Sequence, residues 1–157
     1  LERIASMDST LSVKKMPTIV FEVSPEPENT NIQVMNPIEG EDFPIIGVLD
    51  SGVGDIEHLK PWMIGEDNTA NLLEYDISRN HGTAVAGVIN YGDLLENRNM
   101  TGCGPCKIHS CIVNSDRVRI SEKQLVFFIQ QAISAHPKIK IWNLSQGTNV
   151  IIDDNKY

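Results

Sequence analysis

The sequence is short of cysteine, of positive charge and of long apolar runs, and each shortage closes off a class of protein. Its three cysteines, Cys103, Cys106 and Cys111, are odd in number and clustered, unlike the framework of a secreted disulfide-rich domain. Thirteen Lys and Arg stand against 21 Asp and Glu, a net charge of −8. That balance repels phosphate, so no nucleic-acid partner is expected, and it serves solubility. No run approaches the ~18 to 20 apolar residues that span a bilayer, so no membrane association is expected. The opening LERIASMDSTLSVKKM lacks the basic start and apolar centre of a secretory signal, and a cytoplasmic location is expected unless an export signal precedes it. Internal repeats and low-complexity tracts are also missing. What remains is globular composition, 41% hydrophobic over 157 residues, enough for one domain with a sizeable core.

Residues 1–42 show little pattern. The stretch TIVFEV at 18–23 predicts a short strand closed by a proline- and acid-rich run, and residues 31–35 predict a second one, ended by Asn36-Pro37. A polar joint then sets a boundary at about residue 42, with 1–42 a leader or accessory segment and 43–157 the main domain.

In that domain, residues 44–49 form a near-continuous apolar run, as expected for a strand buried on both faces of a parallel sheet. A short helical turn is expected around Pro61 and a polar surface loop over 65–80. A helix over 81–90, rich in glycine and alanine, fits close packing on a sheet. Gly82 and Gly87 each cost about 1 kcal/mol there relative to alanine, and small residues kept at such a cost mark close backbone approach. Residues 91–106 read as loop and 107–113 as strand. From Ser121 to about His136 the spacing of Leu125, Val126, Phe128, Ile129, Ala132 and Ile133 predicts an amphipathic helix, stopped by Pro137. A last strand is expected over 139–144. Trp142 and the Phe127-Phe128 pair are expected in the core, and Asp153-Asp154 in a solvated turn. This order predicts an α/β fold of three layers, a mostly parallel β-sheet with helices on both faces. Sites in such folds lie at the carboxyl ends of the strands, where Asp50, Ser145 and Gly147 fall.

Asp50 ends the apolar run, and His81 stands 31 residues later before Gly-Thr. Singly, the first is a common turn residue and the second a common helix cap. Together they suggest a base and its orienting acid. A helix N-terminus favours the neutral imidazole. A carboxylate on Nδ1–H would fix its tautomer and stabilise the imidazolium formed as a proton is taken. Such general-base help is worth on the order of 10²- to 10⁴-fold in rate.

The blocks IIGVLDSGV (45–53), HGTAVAG (81–87) and IWNLSQG (141–147) resemble, in order and spacing, three signature blocks of the subtilisin-like serine proteases, over about residues 43–150. The resemblance implies a serine endopeptidase in which Asp50 is the triad acid and His81 the triad base. It also implies that the backbone of Ser145, Gln146 and Gly147 lies along a protein or peptide substrate as an added strand, that no cofactor is needed, and that residues 1–42 could be the end of a propeptide. Some features depart from the family. Ala84 stands where a second histidine is usual. A family calcium ligand falls at about His58, in a loop without the usual oxygen-rich pattern, so no metal site is carried over. The family's nucleophile lies in a Gly-Thr-Ser block well past the third signature, and its oxyanion-hole asparagine follows that signature too; neither is present. Ser51 and Ser145 sit in no nucleophile context. The domain is therefore expected to be incomplete at its C-terminus, inactive alone, and prone to self-association through uncovered sheet edge.

Two further readings compete. One is a non-catalytic peptide-binding or interaction module of the same fold. The other is a thiol–disulfide oxidoreductase, since Cys103-Gly104-Pro105-Cys106 before lysine matches the redox sequence of thioredoxins. That chemistry needs a helix after the motif, whereas a strand is expected there. A metal site from Cys103, Cys106, Cys111 and His109 is disfavoured by its short spacing, although His109 and Cys111 would share one sheet face.

Overall fold

The apolar run of the first signature block becomes the hub of a parallel sheet. A computed structural model describes residues 19–20, 32–96, 98 and 104–148. Its elements are β1 (Ile19–Val20), β2 (Ile45–Asp50), β3 (Met63–Asp67), α1 (Asn80–Leu95), β4 (Lys107–Ile112), α2 (Glu122–Ala135), β5 (Ile141–Asn143) and β6 (Gly147–Thr148). Four strands form one sheet in the order β3-β4-β2-β5, all parallel, while β1 and β6 pair antiparallel.

Successive residues of a strand face opposite sides, and β2 sorts the core accordingly. Val48 packs with Ala86, Tyr91 and Ile108 under α1. Leu49, its neighbour, packs with Cys111, Leu125 and Ala132 under α2. Two helices thus cover the two faces, the three-layer α/β arrangement expected from the alternation of strands and helices.

Several local expectations are corrected. Residues 65–67, read as the start of a surface loop, belong to the edge strand β3. Its sequence MIGED is polar enough to pass for loop because an edge strand needs a neighbour on one side only; a short turn at Lys60–Trp62 leads into it. The second expected strand, around 31–35, pairs with no strand over its described part. Its backbone is held by side chains instead: Trp62 Nε1–H donates to the Met35 carbonyl at 2.9 Å, the Met35 N–H to Tyr91 Oη at 3.1 Å, and His58 Nε2–H to the Ile32 carbonyl at 2.8 Å. The first helix runs to Leu95 rather than Asn90, because Tyr91 and Leu94 extend its packed face.

The second helix opens with a capping box between Ser121 and Gln124. Leu125 and Ala132 are buried, and Phe128 and Ile129 pack beside them. Val126 and Ile133 lie about 100° to the side of that stripe and Phe127 behind it. Phe127 is accordingly 54% exposed, not core as expected. The last strand keeps only Ile141–Asn143 of the expected 139–144, with Trp142 half-buried opposite Gly47. Cys103 and Asp153-Asp154 lie outside the described residues. Among the described residues no helix is long and apolar enough to cross a membrane.

The two cores lie on opposite faces of the sheet, so they should respond independently. Ile108→Val under α1 and Ile120→Val under α2 should each cost about 0.5–1.5 kcal/mol in urea unfolding. The double variant should match their sum within about 0.5 kcal/mol; strong coupling would contradict a sheet with two separate cores.

Candidate active site

Asp50 is the last residue of β2 and is completely buried. A carboxylate buried without donors would be strongly disfavoured, and two donors meet it. The Ser51 N–H donates to Oδ1 at 2.7 Å, and His81 Nδ1–H lies 2.9 Å from both Oδ1 and Oδ2. His81 is the second residue of α1, its imidazole 18% exposed against 1% for the Asp50 side chain. The acid is thus sealed and the base reaches the surface. The structure brings the two sequence-predicted residues together.

That meeting depends on two glycines. After Ser51 the chain turns at Gly52, whose φ of +95° suits glycine. A Cβ on Gly82 would sit 2.2 Å from the Gly52 carbonyl oxygen, so only glycine lets the helix start close over the turn. Gly87 has nothing within 4 Å of its missing side chain; the close approach expected of both glycines belongs to Gly82 alone. Thr83 fastens the same junction, accepting from the Gly54 N–H at 2.7 Å and donating to the Arg79 carbonyl.

A carboxylate that sequence reasoning missed supports this from β3. Glu66 Oε2 accepts from the Val53 N–H at 2.9 Å and the Ser110 hydroxyl at 3.1 Å, while Oε1 accepts from Arg79 Nη2 at 2.9 Å. Arg79 directly precedes α1 and also bonds Glu74 at 2.6 Å. The Glu74 hydrogen bond raises the guanidinium pKa, and Arg79 in return lowers that of Glu74. The only sequence trace of Glu66 is the alternation of MIGED, visible once β3 is known.

Ser145, Gln146 and Gly147 follow β5. Gln146 Nε2–H donates to the Leu49 carbonyl at 3.2 Å, pinning the segment beside the end of β2, and the Ser145 hydroxyl donates to Asn143 Oδ1 at 2.8 Å. Beyond them, Gly147 and Thr148 pair with Val20 and Ile19. Ser51 is buried, its hydroxyl accepting from the Gly82 N–H at 3.4 Å.

Cys106 is buried against Asn90, and burial pushes its thiol pKa up to about 11. Strand β4 begins at the next residue, where thioredoxin-like chemistry needs a helix. His109 and Cys111 do share a sheet face, yet their neighbours are Asp67 and His136 rather than Cys106. Hydrogen bonds from His136 and His109 hold the Asp67 carboxyl below its ordinary range, and burial pushes the Cys111 thiol up to about 12.

A protein-family model described as the Subtilase family (Peptidase_S8) matches residues 42–156. No curated protein and no solved structure matches the chain.

The two glycines of α1 give opposite expectations. Gly82→Ala should destabilise the protein by about 1–3 kcal/mol through overpacking against Gly52. Gly87→Ala should stabilise it by up to about 1 kcal/mol, since alanine is the better helix former and meets nothing. Thermal or urea unfolding of both variants checks this; a harmless Gly82→Ala would contradict the close junction.

Proposed function

The chain belongs to the subtilase family, and from that membership we propose that it carries the acid and the base of a serine endopeptidase triad together with one strand of the substrate cleft. The observation that carries the reading is the contact of His81 Nδ1–H with the buried Asp50 carboxylate at 2.9 Å. In the reaction a serine hydroxyl attacks the scissile carbonyl while His81 Nε2 takes its proton. Asp50 holds the tautomer and stabilises the imidazolium, which then gives the proton to the leaving amine. Water repeats the cycle to release the acyl group.

These 157 residues contain no Gly-Thr-Ser block, so they supply the acid and the base of the triad but not its serine. The hydroxyls of Ser51 and Ser145 are already engaged with Gly82 and Asn143. The substrate is a protein or peptide that pairs along Ser145, Gln146 and Gly147 as an added strand. The antiparallel pairing of Val20 with Gly147 supports residues 1–42 as a leader that competes with substrate for this edge. The same pairing favours a second reading, peptide capture without cleavage. Exposed Val126, Phe127, Ile133, Ile141 and Leu144, with the sheet edge at β5, further support self-association of this polypeptide.

Fluorophosphonate probes should leave the 157-residue chain unlabelled, and labelling would overturn the assignment of the nucleophile. Supplied with a Gly-Thr-Ser segment in a longer chain, the protein should cleave casein, and His81→Ala should lower that rate by at least about 10²-fold. Cleavage insensitive to His81→Ala would refute the triad, whereas a folded long chain that binds peptide and cleaves none would favour the second reading. In light scattering the 157-residue chain should grow in mass with concentration; a constant monomer mass would count against self-association.

A further inference from the structure

Outside the three signature blocks, β3, β4 and the end of α2 bring four potential metal ligands to one point. Gly65 of β3 lies opposite His109 of β4, and Asp67 opposite Cys111. His109 and Cys111 are two apart in a strand and so face one side, the side that α2 covers. His136 caps the C-terminal end of α2 and comes down over the same place. One ligating atom from each of Asp67, His109, Cys111 and His136 lies within 4.8 Å of all the others. We propose that these four residues bind a single divalent transition cation of the zinc class.

The geometry favours a shared central ligand. His109 Nε2 lies 3.2 Å from Asp67 Oδ2, His136 Nε2 bonds the same oxygen, and the two ring centroids are 4.0 Å apart. Both imidazoles therefore direct the same nitrogen towards one spot. Gly65 makes room for this: a Cβ there would lie 2.8 Å and 2.9 Å from Cε1 and Nδ1 of His109. Cys111 closes the group from below, wholly buried.

The donor set selects the cation. Two imidazole nitrogens, a thiolate and a carboxylate make four ligands, the number a tetrahedral zinc site takes. Bonds of about 2.0–2.3 Å would separate the donors by roughly 3.3–3.8 Å, so the widest-spaced donors, up to 4.8 Å apart, would draw in by about 1 to 1.5 Å, while Asp67 and the two imidazoles, now in hydrogen-bond contact, would part to admit the cation. Calcium and magnesium prefer all-oxygen shells and are not served by this set. An Asp67 carboxylate joining two imidazoles needs no thiol; Cys111 is what turns that hydrogen-bonded group into a ligand set for a soft or borderline cation. On binding, each imidazole offers its Nε2 lone pair as the Nδ1–H tautomer, and Cys111 binds as thiolate with its proton passing to solvent.

Such a cation would join β3, β4 and α2 at the sheet edge. Asp67 directly follows Glu66, whose carboxylate holds Val53 and Arg79 beside the candidate pair. The role is a brace for the scaffold of Asp50 and His81, with no part in the proton transfer.

Titration of the chelator-treated 157-residue chain with cobalt(II), followed by competition with zinc(II), tests the site. Saturation at one cation per chain, a thiolate-to-cobalt charge-transfer band that zinc displaces, and a raised unfolding temperature with zinc are expected. Cys111→Ser should remove the band, and His136→Gln should weaken binding at least about tenfold. The Cys103→Ser/Cys106→Ser double variant should keep the band. The absence of a saturable band in a protein folded by circular dichroism would overturn the proposal, as would a band that survives Cys111→Ser or vanishes with Cys103 and Cys106. If Cys111→Ser fails to fold, His136→Gln at the half-buried helix end decides: unchanged affinity there also overturns it.

Discussion

A buried carboxylate has to be met by donors, and much of the architecture around Asp50 follows from that requirement. Asp50 ends the central strand with no exposure to solvent, where an unpaired charge would be strongly disfavoured. The Ser51 N–H and His81 Nδ1–H satisfy it. Bringing a helix terminus that close to a strand end forbids side chains at the junction, hence glycine at 82 against the carbonyl of Gly52. Thr83 and the Glu66–Arg79 pair then fasten the helix start, the turn and the edge strand to one another. Charge-assisted hydrogen bonds of this kind are among the stronger ones available, and here they fix position rather than add bulk stability.

The parts legible in the sequence were those in which chemistry restricts residue type locally. The central strand shows as a near-continuous apolar run over residues 44–49, and the amphipathic stripe of Leu125, Phe128, Ile129 and Ala132 shows as a helix with its capping serine. Asp50 and His81 stand out because an acid at a strand end and a histidine at a helix start are a known pairing of roles. Position across the sheet was not legible. Glu66 looks like one more acid in a polar stretch until β3 is paired with β4. Gly82 and Gly87 look alike until the neighbours of each are known. Phe127 and Phe128 are adjacent in sequence, yet a turn of about 100° per residue sends one outward. Asp67 and His136 are 69 residues apart, and nothing local announces that they share a point in space.

Parallel strands gather chemistry at their carboxyl ends, and this sheet does so twice. Asp50 at the end of β2 meets the histidine of α1. Two strands over, Asp67 at the end of β3 meets Cys111 of the intervening β4 and the histidine that closes α2. Glu66 links the two groups, next to Asp67 in the chain and hydrogen-bonded to Val53 and Arg79 beside Asp50 and His81, so the rigidity of the edge strand bears on both. The segment 145–147 completes the picture, since Gln146 ties it to the Leu49 carbonyl immediately before Asp50.

The central claim is that Asp50 sets the tautomer of His81. Nitrogen-15 NMR of the histidine ring nitrogens tests it most directly, by showing which nitrogen of neutral His81 carries the proton. The account predicts a proton on Nδ1, and loss or redistribution of that state in Asp50→Asn with the fold intact. A folded protein whose neutral His81 carries its proton on Nε2, unchanged by Asp50→Asn, would contradict it.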